Sequence, residues 1–206
     1  MVIFCVHPSL LPAYRGPAPI ETALLNNEYV TGVSIMMLDP LVDHGPIVAV
    51  KDYVVGPTDT RIDLTENLFT LGGAMCSDVM PKYLNNEIKS IDQDHSKATF
   101  TKKIKKEDGL IEFTDVQNTT DPLVSQTLWN KYRAYKGMMG VYFFLSSPLP
   151  NVGGGRVGVL FANNNSPLRI KITEAVFTDG VFEIKKVIPE GKKEMTFEDF
   201  KRGHSI

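Results

Sequence analysis

The stretch Met1-Val2-Ile3-Phe4-Cys5-Val6-His7-Pro8 decides how the first half of this chain is read. Six apolar residues run without a polar break into a histidine and a proline. A continuous apolar run of this kind reads as a strand covered on both faces, the pattern of a parallel sheet in an α/β domain. Outward from it, residues 8–19 form a proline-rich loop. Residues 20–26 are predicted as a short helix with Ile20, Ala23 and Leu24 on one face. Residues 30–38 and 46–55, dense in Val, Ile and Met, read as two further strands. Residues 58–85 read as a long helix capped by Thr58 or Asp59, with Ile62, Leu64, Leu68, Leu71 and Met75 as its apolar stripe. The pair Gly72-Gly73 at its centre predicts close packing there. A parallel sheet needs neighbours for its central strands and helices on both faces, and three strands before the long helix supply too few. The expectation is that sheet-forming sequence lies upstream or comes from a partner.

The second half changes character. Polar residues dominate 87–97, which reads as a linker. Residues 121–136 are predicted as a helix with Asp121 at its cap and Pro122 at its first position. Short strands follow at 141–145, 156–161, 169–177 and 181–188. The breakers between them are Ser146-Ser147-Pro148, Gly153-Gly154-Gly155, Asn163-Asn164-Asn165 and Asp179-Gly180, the last a strong hairpin signal. Strands at this spacing predict a small antiparallel barrel. The expected division is a first domain over 1–88, a linker over 89–98 and a barrel-like domain over 99–206. Trp129 and Tyr132, on the predicted helix, are expected to pack rather than to stack on bases.

Composition excludes several classes. At 43% hydrophobic and 22% charged, the 206 residues suit a globular protein. No apolar run approaches the ~20 residues of a membrane span. No basic segment followed by an apolar one opens the chain, so no secretory signal is expected there. Two cysteines, Cys5 and Cys76, make no disulfide framework, and no Cys/His spacing suits a metal. The net charge of −2 hides an asymmetry: residues 1–96 hold 5 basic against 12 acidic side chains, and residues 97–206 hold 17 against 12. A basic second half fits a nucleic-acid-facing part, or a segregation of solvated charge.

The chemistry concentrates at strand ends. His7 closes a strand and opens a proline-stiffened loop, where open α/β sheets place their ligand crevice. Residues 38–45, Leu38-Asp39-Pro40-Leu41-Val42-Asp43-His44-Gly45, would bring carboxylates and a second imidazole to the same edge if the strands are neighbours. A carboxylate beside an imidazole orients it for acid–base work, although a histidine in this position also serves as a hydrogen-bonded structural residue.

The run from His7 to Gly16, followed by Ala18-Pro19-Ile20, Thr31-Gly32-Val33 and Asp43-x-Gly45, resembles the 10-formyltetrahydrofolate-dependent formyltransferases. Their pattern is N-x-H-x-S-L-L-P-x-x-R-G, with D-x-G some thirty residues on. Segments of the second half, Ala98-Thr99-Phe100-x-x-Lys103-Ile104, Arg133-Ala134-Tyr135 and Gly191-Lys192-Lys193-x-Met195, resemble the branch that formylates methionyl initiator tRNA. The resemblance covers nearly all of the chain and omits about the first third of a typical member. It implies the C-terminal half of a Rossmann-like domain followed by a small OB-like barrel, and transfer of a formyl group from 10-formyltetrahydrofolate to the amine of the aminoacyl-tRNA. No metal, membrane or obligate protein partner is implied. The catalytic set it implies is His7 and Asp43, with Cys5 where the family has asparagine. Ser9, Leu10, Leu11 and Pro12 match the folate-contacting loop. Arg15, Lys102, Lys103, Lys105, Lys106, Lys192 and Lys193 are the expected RNA contacts. His44 is expected to be a solvated neighbour, and Leu41, where the family often has glycine, to stiffen its loop. The departure at Cys5 matters because an amide is a strong preorganised donor to an oxyanion and a thiol is a weak one. Two other readings follow: a formyltransferase for a small amine, and a non-catalytic tRNA-binding remnant. The expected compartment is the mitochondrion, with the bacterial cytoplasm as the alternative.

Overall fold

The computed structural model describes residues 3–145, 161–162, 166–204 and 206. It divides into two compact units, Met1–Lys105 and Lys106–Ile206.

In the first unit, β1 (Phe4–His7), β2 (Val30–Met37) and β3 (Ile47–Val54) form a sheet in the order β1-β2-β3. Both pairings are antiparallel, with His7 opposite Ser34 and Val33 opposite Lys51. The expectation of a parallel arrangement is therefore corrected among the described strands. The nine residues between β2 and β3 are too few for a parallel crossover, which takes a dozen or more. The connection from β1 to β2 is long enough, but it folds back over the sheet instead of crossing it. The Leu11 N–H donates to Ser34 Oγ at 3.0 Å, and that hydroxyl donates to the Ser9 carbonyl at 2.8 Å. Only the helix α1 (Pro19–Leu25) interrupts this connection.

Strand alternation then sorts the two faces. Val6 and Val33 face the long helix α2 (Arg61–Leu84), while Cys5, His7 and Ser34 face the proline-rich loop. The helix begins one to two residues later than expected. Thr60 caps it, with Asp63 Oδ2 accepting from the Thr60 N–H at 2.8 Å in a capping box. Asp59 is occupied in the preceding turn, where its carboxylate accepts from the Gly56 N–H at 2.8 Å. The stripe that α2 buries is Leu64, Leu68, Gly72 and Val79. Leu71 and Met75 are half-buried beside it, and Ile62 is 47% exposed. Ile62 lies two residues, roughly 200° of helical rotation, from Leu64 and so falls on the solvent side. Full burial of Leu64 and of Leu68 is worth about 1.5–3 kcal/mol each. Close packing holds at Gly72 alone: a Cβ there would stand 2.5 Å from Val6 Cγ1, whereas one on Gly73 would meet nothing within 4 Å.

The stretch expected as a linker packs on this unit. Ile91 and Ile47 exchange two backbone hydrogen bonds of 2.8 Å, extending the sheet beyond β3. Gln93 is buried, and a 3₁₀ turn at His95–Lys97 follows.

The second unit holds α3 (Phe113–Gln117), α4 (Pro122–Tyr135), β4 (Val141–Leu145), β5 (Phe161–Ala162), β6 (Ser166–Thr178), β7 (Val181–Pro189), β8 (Met195–Thr196) and α5 (Phe197–His204). Its sheet runs β4-β6-β7-β8 with β5 on β6, antiparallel throughout. Asp121 caps α4 by accepting from the Leu123 N–H at 2.8 Å. Asp179 and Gly180, at φ of 52° and 79°, make the two-residue hairpin turn between β6 and β7. Trp129 is buried and stacks on Tyr132 and Phe177, with ring centroids 5.6 and 5.7 Å away. The expected strand at 156–161, apart from Phe161, and the breakers at 146–148, 153–155 and 163–165 lie outside the described residues.

Candidate active site

His7 ends β1 on the face that the proline-rich loop covers, and it is 5% exposed. Its Nε2–H donates to the Tyr14 carbonyl at 3.0 Å. That carbonyl turns inward because Tyr14 occupies the left-handed region, φ 60°. The other ring nitrogen, Nδ1, lies 3.6 Å from Asp43 Oδ2, an ion-pair distance slightly beyond a hydrogen bond. Both nitrogens thus face oxygen atoms, Nε2 within hydrogen-bond distance and Nδ1 just outside it.

Asp43 arrives from the loop between β2 and β3, itself at a left-handed φ of 47°. Its Oδ2 accepts from the Gly16 N–H at 2.7 Å, so the carboxylate is shared between the proline-rich loop and the histidine. The motif glycine two residues on has a steric cause: a Cβ on Gly45 would stand 1.9 Å from the Met37 carbonyl oxygen. Gly16 is constrained too, with φ 107° and Thr101 Oγ1 2.9 Å from where its Cβ would be.

Cys5 sits two residues before His7 on the same face and is half-buried. Burial first, then the Asp43 charge and lastly Cys76, push its thiol pKa up. It stays a neutral thiol near pH 7, a weak donor and a poor nucleophile.

The four residues expected to contact folate divide. Ser9 is fully buried and spends its hydroxyl on the Ala13 carbonyl at 2.6 Å, and Leu11 is buried beneath the loop. Both are turned inward by the loop's own packing. Leu10 and Pro12 keep part of their surface exposed. Leu10 lines a cavity of about 520 Å³ together with Tyr14, Asn26, Glu28, Thr99 and Phe100. There Tyr14 Oη donates to Glu28 Oε1 and accepts from Asn26 Nδ2 at 2.9 Å. Burial, then the Glu28 carboxylate, raise that phenol's pKa.

Arg15, expected on an RNA-facing surface, is instead 3% exposed. Its guanidinium donates to Gln93 Oε1 from Nε at 3.2 Å and Nη2 at 2.6 Å, and from Nη2 to His95 Nδ1 at 2.9 Å. The Nε and Nη2 donors of this buried fork are thus spent inside the fold. Lys102, Lys103, Lys105, Lys106, Lys192 and Lys193 are all exposed. His44 is more engaged than a solvated neighbour: its Nδ1–H donates to Asp39 Oδ2 at 2.6 Å, and its ring stacks on His95 with centroids 3.9 Å apart. That hydrogen bond is the main cause holding the Asp39 carboxyl below its ordinary range.

Gln93, His95 and Ser34 were not legible as site residues. Gln93 and His95 fall in a polar stretch with no periodicity, and Ser34 is one small residue inside an apolar strand. Among the described residues no group of three or more His, Cys, Asp or Glu side chains could hold a metal ion.

Comparisons with known proteins bear on this site. Residues 2–80 match the family described as formyl transferase, a span that includes Cys5, His7 and Asp43. The methionyl-tRNA formyltransferase of Chloroflexus aurantiacus is 44% identical over 139 residues, covering 68% of this chain and 42% of that protein. The methionyl-tRNA formyltransferase of Myxococcus xanthus is 31% identical over 208 residues, covering 98% of this chain and 62% of that protein. The chain thus spans less than two thirds of the length of these curated relatives. Among solved structures, HypX from Aquifex aeolicus in complex with tetrahydrofolic acid superposes with a TM-score of 0.64 at 14% identity, covering 97% of this chain and 35% of that one. That likeness is one of fold.

Proposed function

From the premise that residues 2–80 belong to the formyl transferase family, we propose that this chain carries the reacting end of a formyl transfer from 10-formyltetrahydrofolate to the α-amine of methionyl initiator tRNA. The observation that carries the reading is the His7–Asp43 pair, 3.6 Å apart at the end of a motif-bearing strand. In the proposed step the amine nitrogen attacks the formyl carbon. A C–N bond forms, and the C=O electrons move to oxygen. Collapse of the tetrahedral intermediate restores C=O and breaks the bond to N10 of the folate, which leaves with a proton as the amine loses one. His7, held between the Tyr14 carbonyl and the Asp43 carboxylate, is the side chain that meets the developing oxyanion in this reading. Asp43 orients His7, and Cys5 supplies a poor second donor. Leu10 and Pro12 are the loop positions left to meet the folate.

The finer architecture belongs to the same proposal. The sheet edge at β1 supports a partial Rossmann-like domain, and the antiparallel β4-β6-β7-β8 sheet supports an OB-like barrel that meets tRNA. The exposed lysines at 102, 103, 105, 106, 192 and 193 support phosphate contacts, and Arg15 leaves that set. The relatives named are bacterial, which supports a bacterial cytoplasm ahead of the mitochondrion. Cys5 favours one second reading, an RNA-binding chain with no turnover.

The test is formylation of charged initiator tRNA by the chain and by Cys5→Asn. Restoring an amide donor should raise turnover by about 10²–10³, the worth of one oxyanion donor. Fast turnover by the unaltered chain would refute the handicap assigned to Cys5. No turnover by either protein, with tRNA still bound, would favour the second reading.

A further inference from the structure

The carboxylate of Asp43 is aimed by its backbone, and that backbone is held by a residue fifty positions away. Asp43 occupies the left-handed region, which aspartate tolerates better than most L-residues but which here is also held by contacts from outside the loop. Gln93 Nε2 donates to the Asp43 carbonyl at 2.9 Å and to the Gly45 carbonyl at 2.8 Å, one on each side of His44. Gln93 Oε1 accepts both bonds from Arg15. The orientation of this amide is settled by chemistry: carbonyls only accept and a guanidinium only donates, so one arrangement satisfies all four contacts. Both side chains are buried, Gln93 at 6% and Arg15 at 3% exposure.

Arg15 is also the residue before Gly16, whose N–H holds Asp43 Oδ2 at 2.7 Å. The Arg15 backbone is tied in turn, its N–H to the Thr99 carbonyl at 2.9 Å and its carbonyl to the Thr101 N–H at 2.7 Å. One buried contact therefore fixes two things: the backbone that directs the carboxylate and the peptide that receives it. We infer that Gln93, locked by Arg15, is a positioning residue that sets the Asp43 carboxylate against His7. Its functional meaning rests on the role proposed above for Asp43.

Two variants of the full chain test this by amide NMR and hydrogen exchange, which need no turnover. Gln93→Glu keeps an acceptor for Arg15 but turns a carboxylate oxygen toward two carbonyls. Gln93→Met removes donor and acceptor without adding charge. In both, the Gly16 amide should shift and lose about tenfold or more of its exchange protection, the effect of losing one or two net hydrogen bonds. The amides of Val33 and Ile35, inside β2, should keep their wild-type protection. An unmoved Gly16 amide in both variants would overturn the inference. Equal losses at Val33 and Ile35 would also overturn it, by showing a general loosening. In a formylation assay of Cys5→Asn, adding Gln93→Glu should lower kcat by tenfold or more and leave KM for the folate within twofold. If Cys5→Asn itself does not formylate, the functional reading fails while the Gly16 result still decides the positioning.

Discussion

Gly72 and Gly73 are neighbours in α2, yet alanine at the two positions should move stability in opposite directions. A Cβ at Gly73 meets nothing within 4 Å, so only the backbone effect remains. Alanine is favoured over glycine in a helix interior by about 0.8–1 kcal/mol, and Gly73→Ala should stabilise the first unit by about that much. The same backbone gain applies at Gly72. There the new methyl would lie 2.5 Å from Val6 Cγ1 and 3.4 Å from Val33 Cγ1. Valine is stiff at χ1 and has no flexible end to swing aside. Overpacking of this kind costs about 1–3 kcal/mol, leaving Gly72→Ala destabilised by about 0–2 kcal/mol net. Because the backbone term cancels between the variants, their difference of about 1–3 kcal/mol isolates the helix–sheet contact. Hydrogen exchange at β2 amides reads the first unit. Trp129 lies in the second unit, so its fluorescence serves as an internal reference. Equal stabilisation by both alanines would refute the packing argument. The contact matters for the site because Val6 directly precedes His7 on β1.

Two further outcomes follow from charge. If Lys102 and Lys103 contact phosphates, replacing either by alanine should weaken tRNA binding and reduce the slope of log affinity against log salt by about 1 per lysine. An unchanged slope would return them to the solvated surface. The Asp39 carboxyl is held below its ordinary pKa chiefly by the His44 hydrogen bond. Its contribution to stability is then present above the ordinary carboxylate range and fades as pH falls through the lower folded value. Asp39→Asn should flatten the acid dependence of exchange at the Leu41 amide, which donates to Asp39 Oδ1 at 2.9 Å. An acid dependence identical to wild type would remove Asp39 from that role.

Local signals in this chain were dependable where the cause is local. The hairpin at Asp179-Gly180 follows from two residues that tolerate positive φ. The Asp121-Pro122 start of α4 follows from an oxygen that caps and a ring that needs no N–H. The helix α2 was legible from its apolar period, but its exact cap was not. Thr58, Asp59 and Thr60 can all cap a helix in isolation, and only the reciprocal bond with Asp63 selects Thr60. Strand direction was misread because an unbroken apolar run, though commonest in parallel sheets, also occurs in an antiparallel strand covered on both faces. The run over residues 1–6 says that a strand is half or fully covered, not which way its neighbour points.

By itself, the sequence determined the chemistry available: a histidine at a strand end, an aspartate two residues before a glycine, a thiol two residues before that histidine, and a basic second half. Those are properties of residue type and short spacing, which covalent order transmits directly. The tertiary structure alone decided which of these groups meet. It joined His7 to Asp43, turned Ser9, Leu11 and Arg15 inward, and drew Gln93 across fifty residues onto the backbone of Asp43. The physical reason is that a buried amide or guanidinium must find partners wherever the fold offers them, and no local pattern records where those partners will be.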